Sequence, residues 1–214
     1  MLTIFSIFLL LASISSEWVT PDNVIGEPQD DWRPVFTPIF SKMVEGCTNN
    51  VQRVQTINAH IWDVLNVHYS TERDEPRQSP FHSMRTHKAS CTGMAILQVC
   101  AYRSVGIPAR LVGCNWTTIP GNHSWVEFMD EAGEWHFFGD GNPSPIDDSW
   151  VAPFAAEADE SDPSKHIFAS RATPKDKNYY LWDFPADDIT ARYRKYKPLK
   201  HIVPTNTNYT LPTK

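Results

Sequence analysis

Between residues 49 and 69, Val51, Val54, Ile57, Ile61, Trp62 and Leu65 recur mostly at steps of three and four among polar neighbours. That spacing gathers apolar side chains on one stripe of a helix. The pattern changes at Cys91, where Met94, Ala95, Ile96, Leu97, Val99, Cys100 and Ala101 leave almost no polar face until Gly106 and Pro108 end the run. A helix that is apolar all round belongs in the middle of a domain. Three shorter runs follow at residues 109–114, 124–129 and 134–138. Their length predicts strands, and Asp130-Glu131-Ala132-Gly133 predicts a hairpin turn between the last two. A central helix packed on an antiparallel sheet is an α+β architecture.

The flanking segments lack such periodicity. Pro21, Pro28, Pro34 and Pro38 predict a leader with little regular structure that packs over the domain, and residues 71–88, with Pro76 and Pro80, predict a loop. After Asp140 come Pro143, Pro145 and Pro153, then an acidic run, Glu157-Ala158-Asp159-Glu160-Ser161-Asp162. Its spacing is not that of an EF-hand, so it reads as a solvated loop. Residues 2–12 form an uncharged apolar core too short to span a bilayer comfortably, and small Ser13, Ser15 and Ser16 follow. This predicts a secretory signal peptide and a secreted, extracellular protein with no stable membrane insertion once the signal is removed. The expected organisation is a signal at 1–16, an extended leader at 17–48, a catalytic-type domain at 49–195 and a polar tail at 196–214.

A chain of 214 residues suits one domain with a full core, and 41% hydrophobic with 21% charged residues is ordinary for a globular protein. The net charge of -6 argues against nucleic acid as a partner, and the late basic residues Arg192, Arg194, Lys195, Lys197 and Lys200 read as part of a solvated tail. Four cysteines are present. With Cys91 kept for chemistry, Cys100 and Cys114 either bridge helix to strand or are two buried thiols, and Cys47 is left over. Glycosylation sequons begin at Asn115, Asn122 and Asn208, and a glycan on Asn122 would crowd His123. His82, His87, His136 and His166 show no metal-ligand spacing, so neither metal nor other cofactor is expected.

The chemistry centres on Ala89-Ser90-Cys91-Thr92-Gly93. A cysteine that opens a helix meets unpaired N–H groups and the positive end of the helix dipole, both of which favour the thiolate. Downstream stand His123, in Asn122-His123-Ser124-Trp125-Val126-Glu127, and Asp140, just past Trp135-His136-Phe137-Phe138-Gly139. In that order the imidazole takes the thiol proton, the carboxylate orients the ring, and the thiolate attacks a carbonyl to form a thioester. Gln78, upstream, is a candidate to donate its side-chain N–H to the developing oxyanion. Trp125 and Trp135 read as core around these groups.

These motifs, with the link Arg103-Ser104-Val105-Gly106-Ile107-Pro108-Ala109-Arg110 between them, resemble the transglutaminase-like superfamily, a papain-like group of cysteine acyltransferases, proteases and amidases. The resemblance runs from about His68 to Trp150, and His68-Tyr69-Ser70-Thr71 with Gln78-Ser79-Pro80 is similar to a microbial-type, single-domain branch. It implies Cys91 as nucleophile and His123 as general base. The family commonly places its acid four residues after the strand tryptophan, which here is Gly139, with Asp140 one later. Asp140 is therefore the expected third member and Asn142 its alternative. The implied activity is cleavage or transfer of an amide-linked acyl group on peptide, protein or glutamine-like substrates by a monomeric enzyme, with hydrolysis narrowly preferred. The competing expectation is a catalytically silent binding or structural module on the same fold.

Overall fold

The computed structural model describes residues 17–75, 77–114, 122–138, 145–147, 157–171 and 184–193. Its centre is the helix Cys91–Ser104, in which every residue is buried. We number the helices α1 (Arg33–Met43), α2 (Asn50–Leu65), α3 (Pro80–Thr86), α4 (Cys91–Ser104) and α5 (Thr190–Tyr193). The strands are β1 (His68–Tyr69), β2 (Lys88–Ala89), β3 (Ala109–Cys114), β4 (His123–Met129), β5 (Trp135–Phe138), β6 (Ile167–Ser170) and β7 (Ala186–Asp188). Strands β3 to β7 form one antiparallel sheet in the order β5-β4-β3-β6-β7, while β1 and β2 make a separate parallel pair.

Alternation along the strands divides the core in two. Ala109, Leu111, Val126, Phe128 and Phe138 face α4 and the helices around it, whereas Val112, Cys114, Trp125 and Phe137 face the other side with Ile167, Ala169 and Tyr193. This sheet is covered on both faces, and every residue of β3 and β4 is buried. Helices α1, α2 and α3 and the sheet all contact α4. Across the α2–α4 contact, Asn58 Oδ1 accepts hydrogen bonds from Gln98 Nε2 (2.8 Å) and Tyr102 OH (2.5 Å), while Asn58 Nδ2 and Gln98 Oε1 are buried without a hydrogen-bond partner among the described residues.

Three expectations need correction. The segment before Asn49 contains α1, in which Pro34 occupies the first turn, where its missing N–H costs no hydrogen bond, and Trp32, Phe36 and Phe40 stack on one face into the core. The segment 71–88 contains α3, which Ser79 caps by accepting from His82 N–H, and β2. Pro80 opens α3 instead of breaking a helix. Helix α2 stops at Leu65, because Asn66 turns left-handed with φ 52° and sends the chain into β1. The acidic run is the loop expected, and it leads, through a short 3-10 turn at Pro163–Lys165, into β6 beside β3. The hairpin is as expected: Asp130 accepts from the N–H groups of Ala132 and Glu134, and Gly133 supplies a φ of 86°.

The cysteines are all thiols. Cys100 lies on the α4 side of the sheet and Cys114 on the far side, so the helix-to-strand bridge does not form. Burial pushes the Cys100 thiol well up from its ordinary value, which keeps it protonated and inert.

Candidate active site

Cys91 is the first residue of α4 and His123 the first of β4. Ser90 precedes the helix in extended conformation, and its carbonyl accepts from Met94 N–H at 2.8 Å, so the helix begins sharply at the cysteine. Side chains one residue further along both elements join them: Thr92 Oγ1 and Ser124 Oγ share a hydrogen bond of 3.1 Å in the buried interior. The start of the helix and the start of the strand are thereby fixed side by side. Cys91 is 8% exposed and His123 6%, so both are almost wholly buried. Asp140 and Asn142 lie outside the described residues.

The imidazole rests on a built foundation. His123, Trp125 and Glu127 share one face of β4, and the His123 ring stacks on the Trp125 indole with centroids 5.9 Å apart and planes at 21°. Trp125 Nε1 donates to Tyr193 OH at 2.9 Å, and Tyr193 OH donates to Glu127 Oε1 at 2.6 Å. Glu127 is fully buried, held by Arg110 at 2.7 Å and Arg192 at 2.5 Å. Burial alone would raise the Glu127 carboxyl, but the Arg110 and Arg192 guanidiniums and the Tyr193 hydroxyl hold it below the usual carboxylate range. Burial, followed by the neighbouring carboxylate, pushes the Tyr193 hydroxyl well up.

Arg110 reaches further. Its guanidinium stacks on Trp135 at 3.9 Å and faces Trp18 at 5.4 Å, and the two indoles meet edge to face. Trp135 is therefore a lid on a buried cation, and Trp125 alone of the two tryptophans is wholly core. Arg192 corrects a further expectation, since it belongs to this buried network and not to a solvated tail. The network was the part sequence reasoning missed, although its signal was present in the two-residue spacing of the motif His123-Ser124-Trp125-Val126-Glu127 and in an arginine embedded in an apolar strand.

Gln78 sits behind the first turn of α4. It is 1% exposed, and its Oε1 lies 3.7 Å from where a Cβ on Gly93 would stand, with Ser83 Oγ at 3.6 Å and Ala89 Cβ at 3.0 Å. Glycine at 93 lets this layer approach the helix. Gln78 Nε2 donates to Thr86 Oγ1 at a long 3.4 Å, while Gln78 Oε1, Ser83 Oγ and Ser90 Oγ are buried without a hydrogen-bond partner among the described residues. Gln78 also lines a cavity of about 280 Å³ with Glu72, Arg73, Asp74, Thr86 and Lys88. The loop that forms it is clasped by His82, whose Nε2 meets Asp74 at 3.0 Å and whose Nδ1 meets Glu75 at 3.3 Å.

The other histidines singled out are likewise engaged: His136 lies between Asp130 and Asp147, His166 meets Asp188, and His87 Nδ1 contacts the Asn66 carbonyl. Among the described residues no group of three His, Cys, Asp or Glu side chains is arranged to hold a metal ion. Asn122, in the middle sequon, is exposed immediately before His123, and the sequons at Asn115 and Asn208 lie outside the described residues.

Residues 38–139 match the family model described as the transglutaminase-like superfamily. No curated protein matches the chain. Among solved structures, a proposed cysteine protease from Cytophaga hutchinsonii is 22% identical, with a TM-score of 0.44 over 53% of this chain and 39% of that one. A structure described as a TGase is 14% identical, with a TM-score of 0.39 over 64% of this chain and 38% of that one. The chain thus spans about two fifths of the length of each. Residues 38–139, which hold both the cysteine that opens the central helix and the histidine that opens β4, are thus similar to the transglutaminase-like superfamily over that span.

Proposed function

We propose that the protein is a thiol enzyme that attacks amide carbonyls through Cys91. The observation that carries this reading is the Thr92–Ser124 hydrogen bond, which ties the residue after Cys91 to the residue after His123. His123 takes the thiol proton, the thiolate forms a C–S bond to the carbonyl carbon, and the imidazolium returns the proton to the leaving amine as the C–N bond breaks. The resulting thioester is discharged by water in hydrolysis or by an amine in acyl transfer. Because β5 is antiparallel to β4, paired up to Val126↔Phe138, it runs toward the His123 end of its neighbour. That direction supports Asp140, or Asn142 in its place, as the group that orients the imidazole.

Gln78, tucked behind the first turn of α4, supports a share in stabilising the oxyanion together with the Cys91 N–H. Peptide or protein amides and glutamine side chains are the substrate class, and the apolar segment at residues 2–12 supports action outside the cell. Ammonia release from glutamine-containing peptides and peptide-bond cleavage, each followed for the wild type, Cys91→Ala and His123→Ala, tests the reading. Turnover lost in both variants supports it. Turnover retained in Cys91→Ala contradicts it.

A further inference from the structure

The cavity beside Gln78 is lined by two acids, Glu72 and Asp74, and two bases, Arg73 and Lys88, which are unevenly paired. Lys88 Nζ pairs with Glu72 at 3.1 Å, and Asp74 pairs with His82 at 3.0 Å. Arg73, between those two acids in the chain, donates from Nη1 to the Thr71 carbonyl at 3.2 Å, its Nε is buried without a hydrogen-bond partner, and no carboxylate among the described residues lies within ion-pair distance of it. A guanidinium presents five donors in a planar fork, so most of the Arg73 fork is uncommitted. The cavity is large enough for an amino-acid-sized group at about 280 Å³. It shares Gln78 with the layer packed against the first turn of α4.

We propose that Arg73 is a specificity residue that receives a carboxylate of the substrate, so that the enzyme prefers amides carrying an acidic group near the scissile bond. The inference rests on Cys91 being the nucleophile. A carboxylate fits where a second cation would not, because it takes two parallel N–H bonds from the fork. Glu72 and Asp74 are engaged elsewhere, with Lys88 and His82, and neither lies within ion-pair distance of the Arg73 fork. The His82 clasp fixes the loop that carries Arg73, which presents the guanidinium before substrate arrives.

N-iodoacetyl-glycine and its uncharged amide, iodoacetyl-glycinamide, are suitable probes because both alkylate Cys91 and differ only in the carboxylate. Rates are measured at low salt for the wild type, Arg73→Gln and Arg73→Lys, with the modified cysteine identified by mass spectrometry and each rate normalised to that of N-acetylcysteine. The expected acid-to-amide ratio is about 5 in the wild type, as for one part-buried charge-assisted contact. It falls to about 1 in Arg73→Gln and recovers in part in Arg73→Lys, because lysine keeps the charge without the fork. A ratio near 1 in the wild type, or one that Arg73→Gln leaves unchanged, overturns the proposal. The amide's own rate is the separate readout of Cys91: if it is no faster than N-acetylcysteine in the wild type, the nucleophile assignment fails whatever the ratio.

Discussion

Glu127→Gln puts the buried network under the site to its sharpest test. The substitution changes one atom type and almost no volume, so packing is retained while the charge is removed. In the wild type, Glu127 Oε2 accepts from Arg110 Nε at 2.8 Å and meets Nη2 at 2.7 Å, and its Oε1 meets Arg192 and Tyr193 OH at 2.5 and 2.6 Å. A glutamine can offer only one oxygen to these donors and turns its own N–H₂ toward the rest. Arg110 is only 5% exposed, so it is left as a buried cation without a counter-charge. Removing one partner of such a pair costs about 3–5 kcal/mol. For a chain of this size that lowers Tm by roughly 6–20 °C.

Urea unfolding and thermal melts of the wild type and Glu127→Gln measure the loss directly. The loss persists in high salt, because the pair is buried and poorly screened. In Arg110→Met/Glu127→Leu the fully buried Arg110 charge is gone as well, only the part-exposed Arg192 is left without its carboxylate, and much of the stability returns. A loss below about 1 kcal/mol for Glu127→Gln, the range of exposed pairs, refutes the view of this network as a buried charged foundation.

Four other outcomes are expected. Because Glu127 has a folded pKa below its unfolded value, its contribution is full above the unfolded value near 4.5 and is lost as pH falls through the folded value, so Glu127→Gln has a shallower acid-unfolding slope than the wild type in urea melts between pH 6 and 3. Glu27, whose carboxyl burial raises even though it accepts from the Val24 and Ile25 N–H groups, has the opposite sign: its contribution is full below the unfolded value near 4.5 and is lost as pH rises through the folded one, so Glu27→Gln removes a downward slope in the same series. Thr92→Val leaves Ser124 Oγ buried without its partner, costs about 1–3 kcal/mol in urea melts and slows Cys91 alkylation, whereas Thr92→Ser restores both. Deletion of residues 17–48 removes Trp32, Phe36 and Phe40, each 0–1% exposed, and circular dichroism and hydrogen exchange then report an unfolded chain.

The elements most legible in the sequence are those whose burial leaves no choice of pattern. Helix α4 is enclosed by three helices and a sheet, so its polar face had to vanish, and β3 to β5 are bounded by a glycine-proline link and a tight turn. The unread elements are those in which one residue type serves two opposite roles. Pro34 and Pro80 read as interruptions but sit in the first turns of α1 and α3, where proline is favoured. Arg192 belongs by composition to a basic run, yet one turn of helix after β7 carries it to a carboxylate 65 residues earlier in the chain, a contact that no local pattern encodes. The same holds for Arg73, whose significance lies in which of its neighbours are already paired. Cys91 and His123 stood out because their positions relative to element starts are local facts, and the hydrogen bond between Thr92 and Ser124 is what joins the two elements.

The central claim is that Cys91 is an activated thiolate dependent on His123, and alkylation by iodoacetamide across pH 5 to 9, read by mass spectrometry for the wild type and His123→Ala, tests it most directly. The account predicts rapid modification confined to Cys91 that persists below pH 7, where an ordinary thiol is protonated, and that slows when His123 is removed. Modification of Cys91 no faster than that of an ordinary thiol, and indifferent to His123, contradicts it and leaves a transglutaminase-like fold that binds without catalysing.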